Sequence, residues 1–290
     1  MSSPGSQHNP RSLLANESSG VQENVNTHFD ATASYWDAVY RGSDLQGIVY
    51  QQRQAAVLEY VDASNLGAGA RVLEIGCGAG HLTVRLAERE LAVDAIDASP
   101  GMVERAARQV REAGYDQRVS VAEADVHALP YESGYFDLVV AVGVIPWLHS
   151  PADAVAEMAR VLRPGGELIL TADNGARLMS FTDPRGMLAL TPLRRMYHSL
   201  RRRPQEAVSY LHFPARVNRF VRRAGLQVRS GRTVGFGPLT ILGRPLFTDA
   251  KGVRVNDRLQ AAADSGAPGL KWMGWHYLVR AAKPEAPAPL

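Results

Sequence analysis

The residues with the clearest capacity for chemistry lie in segment 71–80, which reads RVLEIGCGAG. There Glu74 is followed by glycines at alternate positions, Gly76, Gly78 and Gly80. An apolar strand that enters such a loop and then a helix brings bare backbone against a ligand, because glycine lacks a Cβ and permits positive φ. The pattern therefore predicts a cofactor-binding loop.

The spacing of these glycines separates two classes of cofactor. A dinucleotide fingerprint, G-x-G-x-x-G, requires its third glycine at position 81. Here position 81 is His, and the third glycine is Gly80. Pyrophosphate binding is therefore disfavoured. The alternative without a ligand is an ordinary glycine-rich turn between a strand and a helix.

The pattern Glu-x-Gly-x-Gly-x-Gly resembles the first motif of class I S-adenosylmethionine-dependent methyltransferases. The resemblance covers most of residues 25–171, with further landmarks in order at 129–131, 136–139 and 160–166. Within the class, the chain resembles the small-molecule branch, in particular the quinone-biosynthesis O-methyltransferases. It implies S-adenosyl-L-methionine as the cofactor and S-adenosyl-L-homocysteine as the product.

The resemblance places the nucleoside part of the cofactor beside the second predicted strand. Asp97 ends that strand about seventeen residues past the glycine loop, where nucleotide-binding sheets carry an acid for the ribose hydroxyls. Asp94, in the middle of the strand, is the rival for this role. Ala98, Ser99 and Met102 follow and resemble the segment that packs against the adenine ring.

A second acidic position follows the third predicted strand. The Asp125 carboxylate, beside the backbone N–H of Val126, offers complementary partners to the amino group and a ring nitrogen of adenine. The family uses this position in that way. A turn-capping Asp is the alternative.

Residues for the methionine part of the cofactor come from three segments. Ala141 and Val142 leave the fourth predicted strand where the family holds this part. Glu74 is expected to orient the glycine loop or to receive the ammonium group through its neighbours, and Cys77 is a small apolar residue of that loop. Arg53, on the preceding helix, suits a bidentate pair with the carboxylate, and a surface salt bridge is the alternative.

The implied chemistry is an in-line displacement in which a substrate O, N or carbanionic C takes the sulfonium methyl group. The protein then supplies alignment, desolvation and, for a hydroxyl substrate, a general base. His149, just beyond the fourth predicted strand, is the best-placed base, and a structural histidine at a helix N-terminus is the alternative. No catalytic metal is expected, because no carboxylate cluster remains beyond the cofactor motifs.

Strands and helices alternate along the chain, which predicts a doubly wound α/β fold with a parallel sheet. The expected form is the seven-stranded Rossmann-like methyltransferase sheet with a helical cap. Within 163–166, the proline is expected to stop the preceding helix and the glycines to turn the chain into the next strand. Strands are predicted at 72–75, 92–96, 119–124, 136–142, 167–171, 226–234 and 277–281.

The same patterns suggest a domain layout. Residues 1–24 read as a disordered arm, and 283–290 as a disordered tail. The methyltransferase domain spans 25–282, and its parts are N-terminal helices at 25–66, a cofactor-binding core at 67–173, a cap at about 174–222 and C-terminal strands at 223–282.

Composition and charge limit the partners. The 32 basic and 29 acidic residues leave a net charge of +3, too small to indicate nucleic acid as the main partner. The single cysteine excludes an internal disulfide framework. The longest apolar run, 136–148, is interrupted by Asp137, Gly143 and Pro146 and is too short for a bilayer span. We therefore expect a cytoplasmic protein. The family resemblance implies a small-molecule acceptor, and the oligomeric state is not predicted.

A basic amphipathic segment runs from Arg194 to Arg203 and interleaves arginines with apolar residues. It suits an anionic or amphiphilic substrate or a peripheral membrane contact, and a solvated helix face is the alternative.

Two other functions use the same sheet. An aminopropyl transferase needs acidic residues beyond the fourth strand, and residues 143–149 contain none. A non-catalytic module that only binds S-adenosylmethionine fits the same motifs.

Overall fold

The computed structural model describes residues 25–183 and 209–285, apart from positions 28, 33 and 37. The predicted arm at 1–24, the arginine-rich segment at 194–203 and the end of the predicted tail lie outside these residues.

One mixed sheet of seven strands, in the order β3-β2-β1-β4-β5-β9-β6, confirms the predicted fold class. Strands β1 to β5 run parallel, whereas β9 is antiparallel to both of its neighbours, so the sheet is not parallel throughout. Its strands are β1 (Arg71–Ile75), β2 (Ala92–Asp97), β3 (Val119–Glu123), β4 (Phe136–Ala141), β5 (Leu162–Asp173), β6 (Gln227–Val234) and β9 (His276–Ala282).

Helices cover both faces of this sheet, as right-handed crossovers require. They are α1 (25–41, helical at every described position), α2 (Leu45–Asp62), α3 (His81–Ala87), α4 (Pro100–Glu112), α5 (Pro151–Val161), α6 (Met179–Thr182), α7 (Pro214–Arg223) and α8 (Asp249–Asp264). The cap side chains of Asp44 and Ser99 accept hydrogen bonds from Gly47 N and Met102 N, which fixes where α2 and α4 begin.

The core divides into two layers because adjacent strand residues face opposite sides of the sheet. Val72 packs with α2, α3 and α4 on one face, and Leu73 packs with α5 and α7 on the other. Most positions of the central strands are therefore apolar, and Phe136 and Leu168 are fully buried. Burial of each such side chain contributes about 2 kcal/mol.

The prediction for residues 163–166 is wrong in detail. Helix α5 ends at Val161, and β5 already begins at Leu162, which pairs with Phe136. The next pair is Leu138 with Glu167, so the four intervening residues form a bulge inside the strand. Lys283 pairs with Gly165 and Gly166 through backbone hydrogen bonds, so the first residue of the predicted disordered tail is held by this bulge.

The long connection between β6 and β9 contains a short hairpin, β7 (Thr240–Ile241) with β8 (Arg244–Pro245), and α8. Helix α8 packs on α2. Its buried Asn256 accepts a hydrogen bond from Phe236 N and donates one to the Gln52 side chain, at 2.8 and 3.0 Å. The connection therefore supports α2, which covers the carboxyl ends of the central strands.

Candidate functional site

A cavity opens at the carboxyl ends of β1, β2, β4 and β5, under α1 and α2. Strand order reverses here between β1 and β4, which is where open α/β sheets bind ligands. The cavity has a volume of about 1040 Å³ including its open mouth, at the upper end of the range for ligand pockets.

Eight residues predicted from the sequence line this cavity, namely Arg53, Gly76, Asp97, Ala98, Ser99, Asp125, Val126 and Val142. Seven others do not, namely Glu74, Cys77, Gly78, Gly80, Met102, Ala141 and His149. Four of these seven, Glu74, Cys77, Gly78 and Gly80, contact β2, α3 or α4 behind the residues that line the cavity.

The glycine loop wraps over the end of β2. Gly76 N and Cys77 N both donate to Ile96 O, at 2.8 and 3.0 Å. Gly76 has φ +69°, and a Cβ there would clash with Val144. Gly80 has φ +87°, and a Cβ there would lie 2.9 Å from Ala106 Cα in α4. The alternating glycines therefore allow both the tight turn after β1 and the close contact between the loop and α4.

Asp97 connects this loop to the adjacent one. Its carboxylate accepts hydrogen bonds from Gly78 N at 2.9 Å and from Ser99 N at 3.0 Å. Burial raises its pKa, and these hydrogen bonds partly offset that effect. Asp94, the rival acid on β2, does not line the cavity.

Asp125 lies at one end of the cavity with two histidines outside it. His127 donates its backbone N–H to Asp125 Oδ1 at 2.9 Å, and its Nδ1 lies 2.8 Å from the same oxygen. Burial acts to raise the pKa of Asp125, but these contacts outweigh it and lower the pKa. The ring of His149 stacks on His127 with centroids 3.9 Å apart and is exposed. The structure therefore places His149 on the outer surface and not in the cavity, where a base would have to lie.

Glu74 lies beneath the glycine loop. It is buried, and it accepts a hydrogen bond from Thr83 Oγ1 at 2.6 Å. Burial raises its pKa to about 8. Cys77 and Glu74 line a smaller adjoining cavity with His81. Glu74 therefore ties the loop to the first turns of α3.

The raised pKa of Glu74 predicts a pH dependence of stability. Because the folded state holds this proton more tightly than the unfolded state, the free energy of unfolding falls as pH rises from about 4.5 to about 8. Glu74→Gln, which cannot ionise, should remove much of this fall. Urea unfolding at several pH values measures it. If the free energy of unfolding fell equally with pH in the variant and the wild type, Glu74 would not be the group responsible.

Arg53 is 4% exposed, so the alternative of a surface salt bridge is wrong. Its guanidinium donates to Tyr40 Oη at 2.6 Å and lies 4.5 Å from the ring centre of Tyr50. It also lies against Gly143, where a Cβ would come within 3.1 Å of Nη1. A buried guanidinium that lines a cavity is suited to pair with a carboxylate.

Sequence reasoning missed three polar members of the site, Asn26, Tyr50 and Asp173. Asp173 ends a buried strand just as Asp97 does, and that signal could have identified it. Phe29, Trp36 and Tyr40 of α1 also line the cavity, and Trp147 joins them from the turn after β4.

The chain is similar to known methyltransferases. A family model described as a methyltransferase domain matches residues 73–170. The chain is 40% identical over 106 residues to 27-O-demethylrifamycin SV methyltransferase of Amycolatopsis mediterranei (strain S699), which is 36% of this chain and 39% of that protein. It is 29% identical over 186 residues to ubiquinone biosynthesis O-methyltransferase of Aromatoleum aromaticum (strain DSM 19018 / LMG 30748 / EbN1), which is 63% of this chain and 75% of that protein. The match thus spans about two fifths of the length of the first relative.

Solved structures share the whole architecture. The cyclase SpnF superposes with a TM-score of 0.61 at 20% identity, over 90% of this chain and 96% of that one. Magnesium protoporphyrin IX methyltransferase from Synechocystis PCC 6803 with bound SAH gives 0.59 at 18% identity, over 90% and 99%. These likenesses show the fold. Among the described residues, no helix is long and apolar enough to cross a membrane.

Proposed function

Because the chain belongs to the class I S-adenosylmethionine-dependent methyltransferases, we propose that it transfers the methyl group of S-adenosyl-L-methionine to a small-molecule acceptor. The observation that carries this proposal is the pairing of the glycine loop with Asp97 at the point where strand order reverses. The names of the rifamycin and ubiquinone relatives favour oxygen as the methylated atom.

The residues present fit the cofactor. Asp97 would accept from the ribose hydroxyls, and Asp125 with the Val126 N–H would face the adenine. Arg53 would pair with the methionine carboxylate, since its buried guanidinium lines the cavity among aromatic rings. When bound, S-adenosyl-L-methionine supplies the electrophilic methyl group. The chain's own contribution is alignment and exclusion of water by α1 and α2.

The acceptor is proposed to be quinone-like or natural-product-like. A lipid-like acceptor or a membrane contact through 194–203 stays a prediction, because that segment lies outside the described residues.

Two measurements on the full chain test the proposed function. Calorimetry should show binding of S-adenosylmethionine and S-adenosylhomocysteine and none of NAD. Methyl-labelled cofactor, incubated with small-molecule extracts, should then yield S-adenosylhomocysteine and labelled product. Binding without turnover would instead favour the non-catalytic module, and no binding would refute the function. The turnover measurement is needed because the cyclase SpnF has the same fold, so the fold alone does not establish methyl transfer.

A further inference from the structure

Asp173 is a charged group of the cavity to which the proposed function gives no role. It ends β5 and lines the cavity beyond Gly143. Thr171 Oγ1 accepts from Gly143 N at 2.8 Å, which fixes the loop after β4 against β5. Because residues two apart on a strand share a face, this contact also directs the Asp173 side chain to the cavity side.

His276 holds one oxygen of this carboxylate. Its Nδ1 lies 3.2 Å from Asp173 Oδ1, and the imidazole is buried in β9. Since an ionised carboxylate only accepts, Nδ1 must carry the proton. Burial lowers the pKa of His276 to about 4, so the ring is neutral at neutral pH. Among the described residues, no other side chain is seen to donate to the Asp173 carboxylate.

The groups facing Asp173 come from four elements. They are Arg53 and Tyr50 on α2, Arg177 after β5, His212 before α7, and His276 on β9. Burial acts to raise the pKa of Asp173, but His276 and the two guanidinium groups outweigh it. The carboxylate is therefore ionised at neutral pH and able to accept one more hydrogen bond from within the cavity.

Apart from Arg53, the side chains paired with one another around Asp173 are aromatic. Phe29 meets Trp147 edge to face at 5.0 Å, and Trp36 meets Tyr50 in the same way at 5.7 Å. Continuous ring surfaces of this kind favour a flat, unsaturated ligand. A single carboxylate among them favours a ligand with one hydrogen-bond donor.

We propose that the acceptor is a planar aromatic molecule with a hydroxyl group, and that Asp173 is the catalytic residue that accepts this hydroxyl's hydrogen bond. The inference rests on the proposed methyl transfer. The acceptor oxygen bonds to the methyl carbon as that carbon's bond to sulfur breaks, and the bonding pair stays on sulfur, which becomes a neutral thioether. The hydroxyl proton passes to Asp173 and then to solvent. His276 is a positioning residue, because it acts through Asp173.

A binding experiment tests this without turnover. The full chain, saturated with S-adenosylhomocysteine, is titrated with 2-naphthol and with 2-methoxynaphthalene, in which a methyl group replaces the hydroxyl hydrogen and removes the hydrogen-bond donor. A hydrogen bond to a charged group predicts that 2-naphthol binds about tenfold tighter. Asp173→Asn should reduce the difference to less than about threefold and leave the S-adenosylhomocysteine affinity unchanged. The matched control Asp94→Asn, outside the cavity, should retain the full difference.

The outcomes separate the two proposals. Equal binding of the two probes by the wild type, or no binding of either, would overturn the inference even if S-adenosylhomocysteine binds. Retained discrimination in Asp173→Asn would also overturn it, and so would a loss of S-adenosylhomocysteine affinity in that variant, since Asp173 would then serve the cofactor. Circular dichroism checks folding, and Asp173→Ser repeats the test if the first variant does not fold. Failure of the wild type to bind S-adenosylhomocysteine would refute the proposed function itself.

Discussion

Asp97→Asn is expected to weaken S-adenosylmethionine binding about 100-fold. The carboxylate is the group proposed to accept from both ribose hydroxyls, and an amide provides only one weaker acceptor. Loss of hydrogen bonds to a charged group costs about 3 kcal/mol in total, which corresponds to that factor in Kd. Calorimetry at neutral pH measures it directly.

The same substitution should change stability little. Asn keeps one oxygen that can accept from Gly78 N or Ser99 N, and it removes a carboxylate whose burial raises its pKa. Alanine would be a poorer test, because both backbone N–H groups would lose their partner. Asp94→Asn on the same strand is the control and should bind the cofactor as the wild type does. An unchanged Kd for Asp97→Asn would remove Asp97 from the cofactor site.

Gly80→Ala should lower the free energy of unfolding by about 3 kcal/mol or more. An alanine at φ +87° costs about 1 to 2 kcal/mol. Its Cβ would also lie 2.9 Å from Ala106 Cα, so α4 would have to move away from the loop. Because α4 follows directly after Asp97 and Ser99, this movement should also weaken cofactor binding. Urea unfolding and calorimetry measure the two effects.

Gly114→Ala separates the cost of the positive φ from the cost of the contact with α4. Gly114 has φ +77°, but nothing lies within 4 Å of a Cβ placed there. It should therefore show only the conformational cost, about 1 to 2 kcal/mol, and normal cofactor binding. Equal losses of stability at Gly80 and Gly114 would mean that the contact with α4 does not matter.

The parallel half of the fold was predictable because its signals are local. Each of β1 to β4 is a short apolar run followed by glycine or acidic residues, and the spacing of Gly76, Gly78 and Gly80 is itself the geometric requirement of the turn. The bulge at 163–166 was not predictable, because it depends on pairing with Lys283, which lies more than a hundred residues away along the chain.

The same distinction applies to the site. Asp97 and Asp125 follow short strands near the glycine loop, so their position could be inferred from order along the chain. Asp173 could have been noticed as a strand end, but its partner His276 belongs to an antiparallel strand inserted beside β5. Chain order alone favours His149 as the base, but one turn of 3₁₀ helix at Ile145–Trp147 directs Trp147 inward and leaves His149 outside the cavity.

The insertion of β9 between β5 and β6 also sets an order of assembly during synthesis. The segment through Asp173 contains all five parallel strands and both acids assigned to the nucleoside, so it can pair its strands while the ribosome is still adding residues. The Asp173 end of the cavity cannot form then, because His276 is synthesised about a hundred residues after Asp173. We therefore expect the nascent chain to acquire the part of the cavity built by the parallel strands first, and the part around Asp173 only once β9 has emerged.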